Sequence, residues 1–225
     1  MKPTLQNISG IDALSVLSTD PSVAVIFLHG YGANMQDLFP LWEMWHRPNF
    51  NWYFPNGVEP LPMGYYEGRA WFSIDMAKLE LAMRTGKSRE MSGEIPVEFA
   101  STLKRLETFI LELQKKHSKI ILGGFSQGAM CASHLATMSS LKIDGLVLLS
   151  GNLIAEKLLP PVARGIPFYQ SHGIQDPVLS IAGARDLEAK MKMLNLQGKL
   201  HEFNGGHEIP QSVISGVKNF LLQFE

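Results

Sequence analysis

Five short runs constrain the fold most: VAVIFLHG (residues 23–30), NWYFPNG (51–57), KIILGGFS (119–126), IDGLVLLSG (143–151) and IPFYQSHG (166–173). Each is nearly continuous in apolar residues and ends at or near a glycine or serine. Such runs read as strands buried on both faces, the signature of a parallel sheet. A sixth run, KLHEFNGG (199–206), is weaker and more polar. Helical patterns lie between them. In residues 96–117 the apolar Phe99, Leu103, Leu106, Phe109, Ile110 and Leu113 recur every three or four positions, giving one core-facing stripe. Further helices are read from about Gln127, over 179–198 with a stop at Gly198, and over the final segment from Glu208. Strands alternating with helices give a doubly wound, mostly parallel α/β sheet with helices on both faces. Such a sheet carries its site at the carboxyl ends of its strands. Here those ends hold His29-Gly30, Gly124 to Ser126, Gly151, His172-Gly173 and Gly205-Gly206.

The chain of 225 residues fits one such domain over 1–225. Residues 56–95 break the pattern: they are rich in Pro and Gly, carry aromatics and lack a long strand-like run, so they read as a lid-like insertion. A net charge of -1 gives no bulk field to draw nucleic acid or an anionic membrane. The longest apolar run, residues 23–28, is too short to span a bilayer, and the N-terminus has no secretory h-region. Cys131 is the single cysteine, which excludes an intramolecular disulfide and a cysteine metal cluster. A cytoplasmic protein without metal is the expectation.

The strand at 119–126 runs directly into Gly124-Phe125-Ser126-Gln127-Gly128 and then into AMCASHLATM. Glycines two residues either side of a serine permit a sharp strand-to-helix turn that exposes the serine Oγ above the sheet. A serine hydroxyl needs a base, and the base needs an orienting carboxylate. On this scaffold they follow the serine in the order acid, then base. Four histidines follow Ser126. His134 lies two helical turns beyond it, His172 sits at a strand end in SHG, and His201 is inside the last strand pattern. His207, in NGGHEIP, follows that strand on a glycine-supported loop, where an exposed imidazole belongs. Asp176, in SHGIQDP, is the carboxylate preferred over Asp144, Asp186 and Glu208. Two backbone N–H groups would hold a developing oxyanion: that of Gln127, after the serine, and that of Tyr31 in LHGYGAN. His29 would brace this loop. Trp71, Phe72, Met63, Tyr65 and Tyr66 are candidates for an apolar acyl site, with Val178 beside the acid.

In FLHGYGAN, FPNG, RAWFSID, LGGFSQGAM, LLSG, SHGIQDPVL and NGGHEIP, taken in that order, the chain resembles the carboxylesterase and acyl-protein thioesterase group of small serine α/β hydrolases. The resemblance covers nearly the whole chain from about Val23. It implies an α/β-hydrolase fold, a triad of Ser126, Asp176 and His207, oxyanion donors at Tyr31 and Gln127, and Trp71 lining an acyl pocket. It further implies hydrolysis of carboxylic esters or thioesters with short- to medium-chain acyl groups, on small molecules or acylated proteins, with no cofactor. Ser73 stands where many relatives have aspartate, and Leu179-Ser180 where valine-proline is usual. Three alternatives stay open: a silent binding protein on the same fold, a peptidase, and lysophospholipase as the main activity. Exposed aromatics in the 56–95 segment would suit a homodimer.

Overall fold

The computed structural model describes residues 2–19, 22–61, 67–75, 77, 78, 80, 84 and 91–225. Strand β3 (Val23–Leu28) shows how its layers arise. All six residues are buried, but they divide between two cores. Ala24, Ile26 and Leu28 enter one, and Val23, Val25 and Phe27 enter the other. Successive side chains of a strand point to opposite faces, so a strand apolar at every position must be covered twice.

The covering helices are α1 (Leu41–Trp45), α2 (Phe99–Gln114), α3 (Gln127–Leu135), α4 (Ile181–Met193) and α5 (Gln211–Leu221). Side chains from α2, α3 and α4 pack with the first core, and those of α1 and α5 with the second. Helix α2 buries the stripe read in the sequence, including Phe99, Leu103, Leu106, Ile110 and Leu113. Helix α3 is buried at all nine positions and has no wet face.

Eight strands form the main sheet: β1 (Pro3–Ile8), β2 (Ile11–Val16), β3, β4 (Phe50–Pro55), β7 (Lys119–Phe125), β8 (Gly145–Leu149), β9 (Pro167–Gly173) and β10 (Gln197–Phe203). Their order is β1-β2-β4-β3-β7-β8-β9-β10. From β4 onward all neighbours are parallel, in the register Val25↔Trp52, Val25↔Ile121, Leu122↔Leu146, Leu148↔Gln170 and His172↔Glu202. β1 and β2 add an antiparallel hairpin at the β4 edge. Its turn is Ser9-Gly10, with φ of 51° and 80°. Both angles positive is the twist a two-residue hairpin requires.

Two readings change in detail. Helix α4 ends before Gly198, at Met193; Asn195 at φ 76° turns the chain instead, and Gly198 lies inside β10. Asparagine tolerates that left-handed conformation better than most residues. In the 56–95 segment, β5 (Glu59–Pro60) pairs with β6 (Arg69–Ala70). The candidate residues Met63, Tyr65 and Tyr66 lie outside the described residues.

Candidate active site

Ser126 stands between β7 and α3 with φ 54° and ψ −118°, a conformation that non-glycine residues rarely adopt. Its flanking glycines explain how the turn closes. A Cβ on Gly124 would lie 2.3 Å from the Gly128 carbonyl carbon, and one on Gly128 would lie 2.2 Å from the Leu28 carbonyl oxygen. Helix α3 therefore starts in backbone contact with both its own strand and the end of β3. The Ser126 N–H donates to the Leu149 carbonyl at 2.8 Å, which ties the turn to β8 as well.

Asp176 lies on the turn after β9, and its side chain is fully buried. Oδ1 accepts the N–H groups of Val178 at 2.8 Å and Leu179 at 2.9 Å. Oδ2 accepts Nδ1–H of His207 at 2.6 Å. Burial alone would raise the Asp176 pKa. The hydrogen bond and charge of His207, with the two amides, outweigh it and hold the carboxyl below its ordinary value. Because His207 Nδ1 is committed to a carboxylate, which can only accept, its proton sits there and Nε2 is left as the basic nitrogen. The two loops are laced by backbone bonds from Ile174 N–H to Phe203 O and Gln175 N–H to Gly205 O. The imidazole also rests 4.8 Å from the ring of Phe125, the residue before the serine.

The rival residues have other work. His134 Nε2 donates to Ile154 O, and burial lowers its pKa to about 4. The His201 ring stacks on Tyr169. Asp144 accepts Ile120 N–H near the start of β7, and Glu208 accepts Gly206 N–H.

Ser126 and His207 line one cavity of about 250 Å³. Tyr31 and Gln127 line it too, and Phe72, Ile74, Met91, Met130, Val178 and Leu179 make its wall largely apolar. Gln127 N–H is at the first turn of α3, where helix geometry supplies no acceptor. Among the described residues no group accepts from it or from Tyr31 N–H. The Gln127 side chain faces the other way and clamps the neighbouring segment: Oε1 accepts Trp71 N–H at 2.8 Å and Nε2 donates to Phe72 O at 2.7 Å.

Behind Tyr31, His29 is buried and neutral. Its Nδ1–H donates to Gly30 O at 2.7 Å and its Nε2 accepts Gly57 N–H at 2.8 Å. Burial lowers its pKa to about 4. This is the bracing role read for it in the sequence.

Trp71 is placed differently from the acyl-pocket expectation. It is fully buried and is not among the residues lining the cavity. Its indole N–H donates to His29 O at 2.8 Å, its ring lies 5.0 Å from the His29 ring, and its carbonyl accepts Thr102 Oγ1–H. An indole must pair its one N–H when buried, and here the partner is the strand end that carries the Tyr31 loop. Phe72 and Val178 do line the cavity, whereas Met63 lies outside the described residues. Ile74, Met91, Met130 and Leu179 are wall residues that the sequence reading missed. Only Met130 had a local signal: it follows Ser126 by four residues, one helical turn, and so faces the same side.

The fold and this set of groups define a serine hydrolase of the α/β class that acts on ester or thioester bonds. Residues 16–224 match the model of the phospholipase/carboxylesterase family. Acyl-protein thioesterase 1 of Candida albicans is 32% identical over 222 residues, covering 88% of this chain and 90% of that protein. The protein of the same name from Debaryomyces hansenii is 27% identical over 217 residues, covering 88% and 89%. Among solved structures, esterase PE8 superposes with a TM-score of 0.76 at 24% identity over the full length of both chains. The Bacillus cereus carboxylesterase does so at 0.74 and 20%, covering 95% and 94%. The chain belongs to the phospholipase/carboxylesterase family. Among the described residues, no helix is long and apolar enough to cross a membrane.

Proposed function

We propose that Ser126, Asp176 and His207 act as a catalytic triad through an acyl-enzyme. The observation that carries this is the 2.6 Å bond from His207 to Asp176, with His207 and Ser126 on one apolar cavity. Ser126 Oγ attacks the carbonyl carbon as His207 Nε2 takes the hydroxyl proton. Asp176 fixes the tautomer and stabilises the imidazolium. The tetrahedral oxyanion is held by the N–H groups of Tyr31 and Gln127. Collapse expels the alcohol or thiol, which receives the proton from His207. Water then repeats the sequence on the acyl-serine and releases the acid.

The apolar wall of the cavity, from Phe72, Ile74, Met91, Met130, Val178 and Leu179, suits a short- to medium-chain acyl group. The names of the fungal relatives favour S-acylated proteins among the substrates to be screened, beside simple esters and lysophospholipids. A cytoplasmic setting agrees with the single cysteine, which is buried and whose thiol burial makes less acidic.

Ser126→Ala should lower kcat on a p-nitrophenyl ester by roughly 10⁴-fold or more, as triad knockouts do. A fluorophosphonate should label the wild type at Ser126. Failure of both would leave a binding protein.

A further inference from the structure

Strand β9 ends in Ser171-His172-Gly173, and the proposed reaction makes no use of His172. Its side chain is fully buried. Nε2 lies 3.0 Å from the Leu179 carbonyl and 3.3 Å from Asp176 Oδ2, the oxygen that also accepts the His207 Nδ1–H bond. A carbonyl can only accept, so His172 carries its proton on Nε2. Its Nδ1 is buried without a partner among the described residues, and burial lowers the ring's pKa although the Leu179 bond and the Asp176 charge oppose this. The ring is therefore a neutral donor with a fixed tautomer.

Asp176 Oδ1 already binds the Val178 and Leu179 amides. His172 donates its Nε2–H to the carbonyl at the far end of the same turn, and Oδ2 lies 3.3 Å from that nitrogen. We infer that His172 is a positioning residue: by donating to the Leu179 carbonyl, its Nε2–H closes the turn that carries the Asp176 carboxylate, setting the carboxylate plane that meets His207 and the cavity wall at Leu179. This rests on the triad reading above.

The charged and titratable groups that face His172 are Asp176 on the following turn, His207 on the loop after β10, and Glu202 of β10. Glu202 is its register partner and is paired with Arg185 of α4. Removing the donor has two consequences. The turn that carries Asp176 loses its tie to His172, which lowers the rate. Oδ2 also loses the nearby Nε2–H dipole, so it favours a protonated His207 more strongly, which moves the acid limb of activity upward.

The test compares His172→Leu with His172→Gln, because the Gln amide nitrogen can occupy the Nε2 position. The Leu variant should lose about five- to tenfold in kcat/KM, the weight of one neutral hydrogen bond. Its acid limb should rise. The Gln variant should stay within about threefold of wild type with an unshifted limb, a rescue that space-filling alone does not predict. If the Leu variant does not fold, His172→Asn takes its place, since that shorter amide cannot reach the Leu179 carbonyl. Equal behaviour of the donor and non-donor variants, with the limb unmoved, overturns the assignment. Absence of Ser126 labelling in the wild type would instead sink the triad reading itself.

Discussion

Gly128→Ala probes whether the elbow is set by backbone contact. The new Cβ would lie 2.2 Å from the Leu28 oxygen, 2.5 Å from its carbon and 2.6 Å from the His29 oxygen. Ordinary contact begins at 3.4 Å, so α3 and the end of β3 must separate by about 1.2 Å. All three neighbours are backbone and cannot rotate away. Ser126 and Gln127 travel with α3, whereas Tyr31 travels with β3, so the proposed nucleophile and one oxyanion donor would move relative to the other donor. A displacement near 1 Å can lower the rate by ~10²-fold. Overpacking costs about 1–3 kcal/mol, and alanine's better helix propensity returns at most about 1 kcal/mol. A chain of this length should therefore melt about 2–4 °C lower for each net kcal/mol. The assay is kcat/KM on a p-nitrophenyl ester with a thermal melt, and Gly93→Ala is the control because no described residue lies within 4 Å of its Cβ position. A Gly128→Ala enzyme within threefold of wild type in kcat/KM, with unchanged melting, would refute the argument.

Asp176→Asn should keep the fold yet lower kcat by about 10³–10⁴-fold, because an amide favours the wrong His207 tautomer; activity near wild type would remove Asp176 from the triad. Trp71→Ala should destabilise by about 3–5 kcal/mol and depress hydrolysis at every acyl length, whereas Met130→Trp should leave acetyl esters active and exclude octanoyl esters. A Trp71→Ala profile that shifts with chain length would return that ring to the pocket. Stability should fall in acid. His29 and His134 have folded pKa values of about 4 against 6.5 in the unfolded chain, so from pH 6.5 down to about 4 the unfolded chain binds protons that the native one refuses. The loss is at most about 3 kcal/mol for each histidine, and equal urea midpoints at pH 7 and 4.5 would contradict it.

The parallel part of the sheet, six of its eight strands, could be read from the chain because inner strands such as β3 and β8 are apolar throughout. The triad candidates were legible for a different reason. Ser126, Asp176 and His207 each follow a strand, and glycines mark two of the three positions. The β1–β2 hairpin went unread because β1 is an exposed edge strand and the buried β2, IDALSV, mixes polar with apolar residues, although Ser9-Gly10 carried its turn signal. The cavity wall was hardest. Met91, Ile74 and Leu179 come from separate loops, and nothing local distinguishes them from ordinary core residues. Trp71 shows the same limit in reverse. A large aromatic beside a catalytic loop can serve the substrate or the loop, and only the partner of its indole N–H separates the two.

The two bonds from the Gln127 side chain have an implication for how such an enzyme diversifies. They hold the main chain at Trp71 and Phe72 without using the Phe72 side chain, which packs on Phe99 at the cavity wall. Sequence drift at the wall can thus resize the chamber while the scaffold beneath it stays in register with the elbow. Selectivity and reactivity become separately heritable, and directed evolution of acyl preference should find its beneficial substitutions at positions 72, 74, 91 and 130, not at 71 or 127.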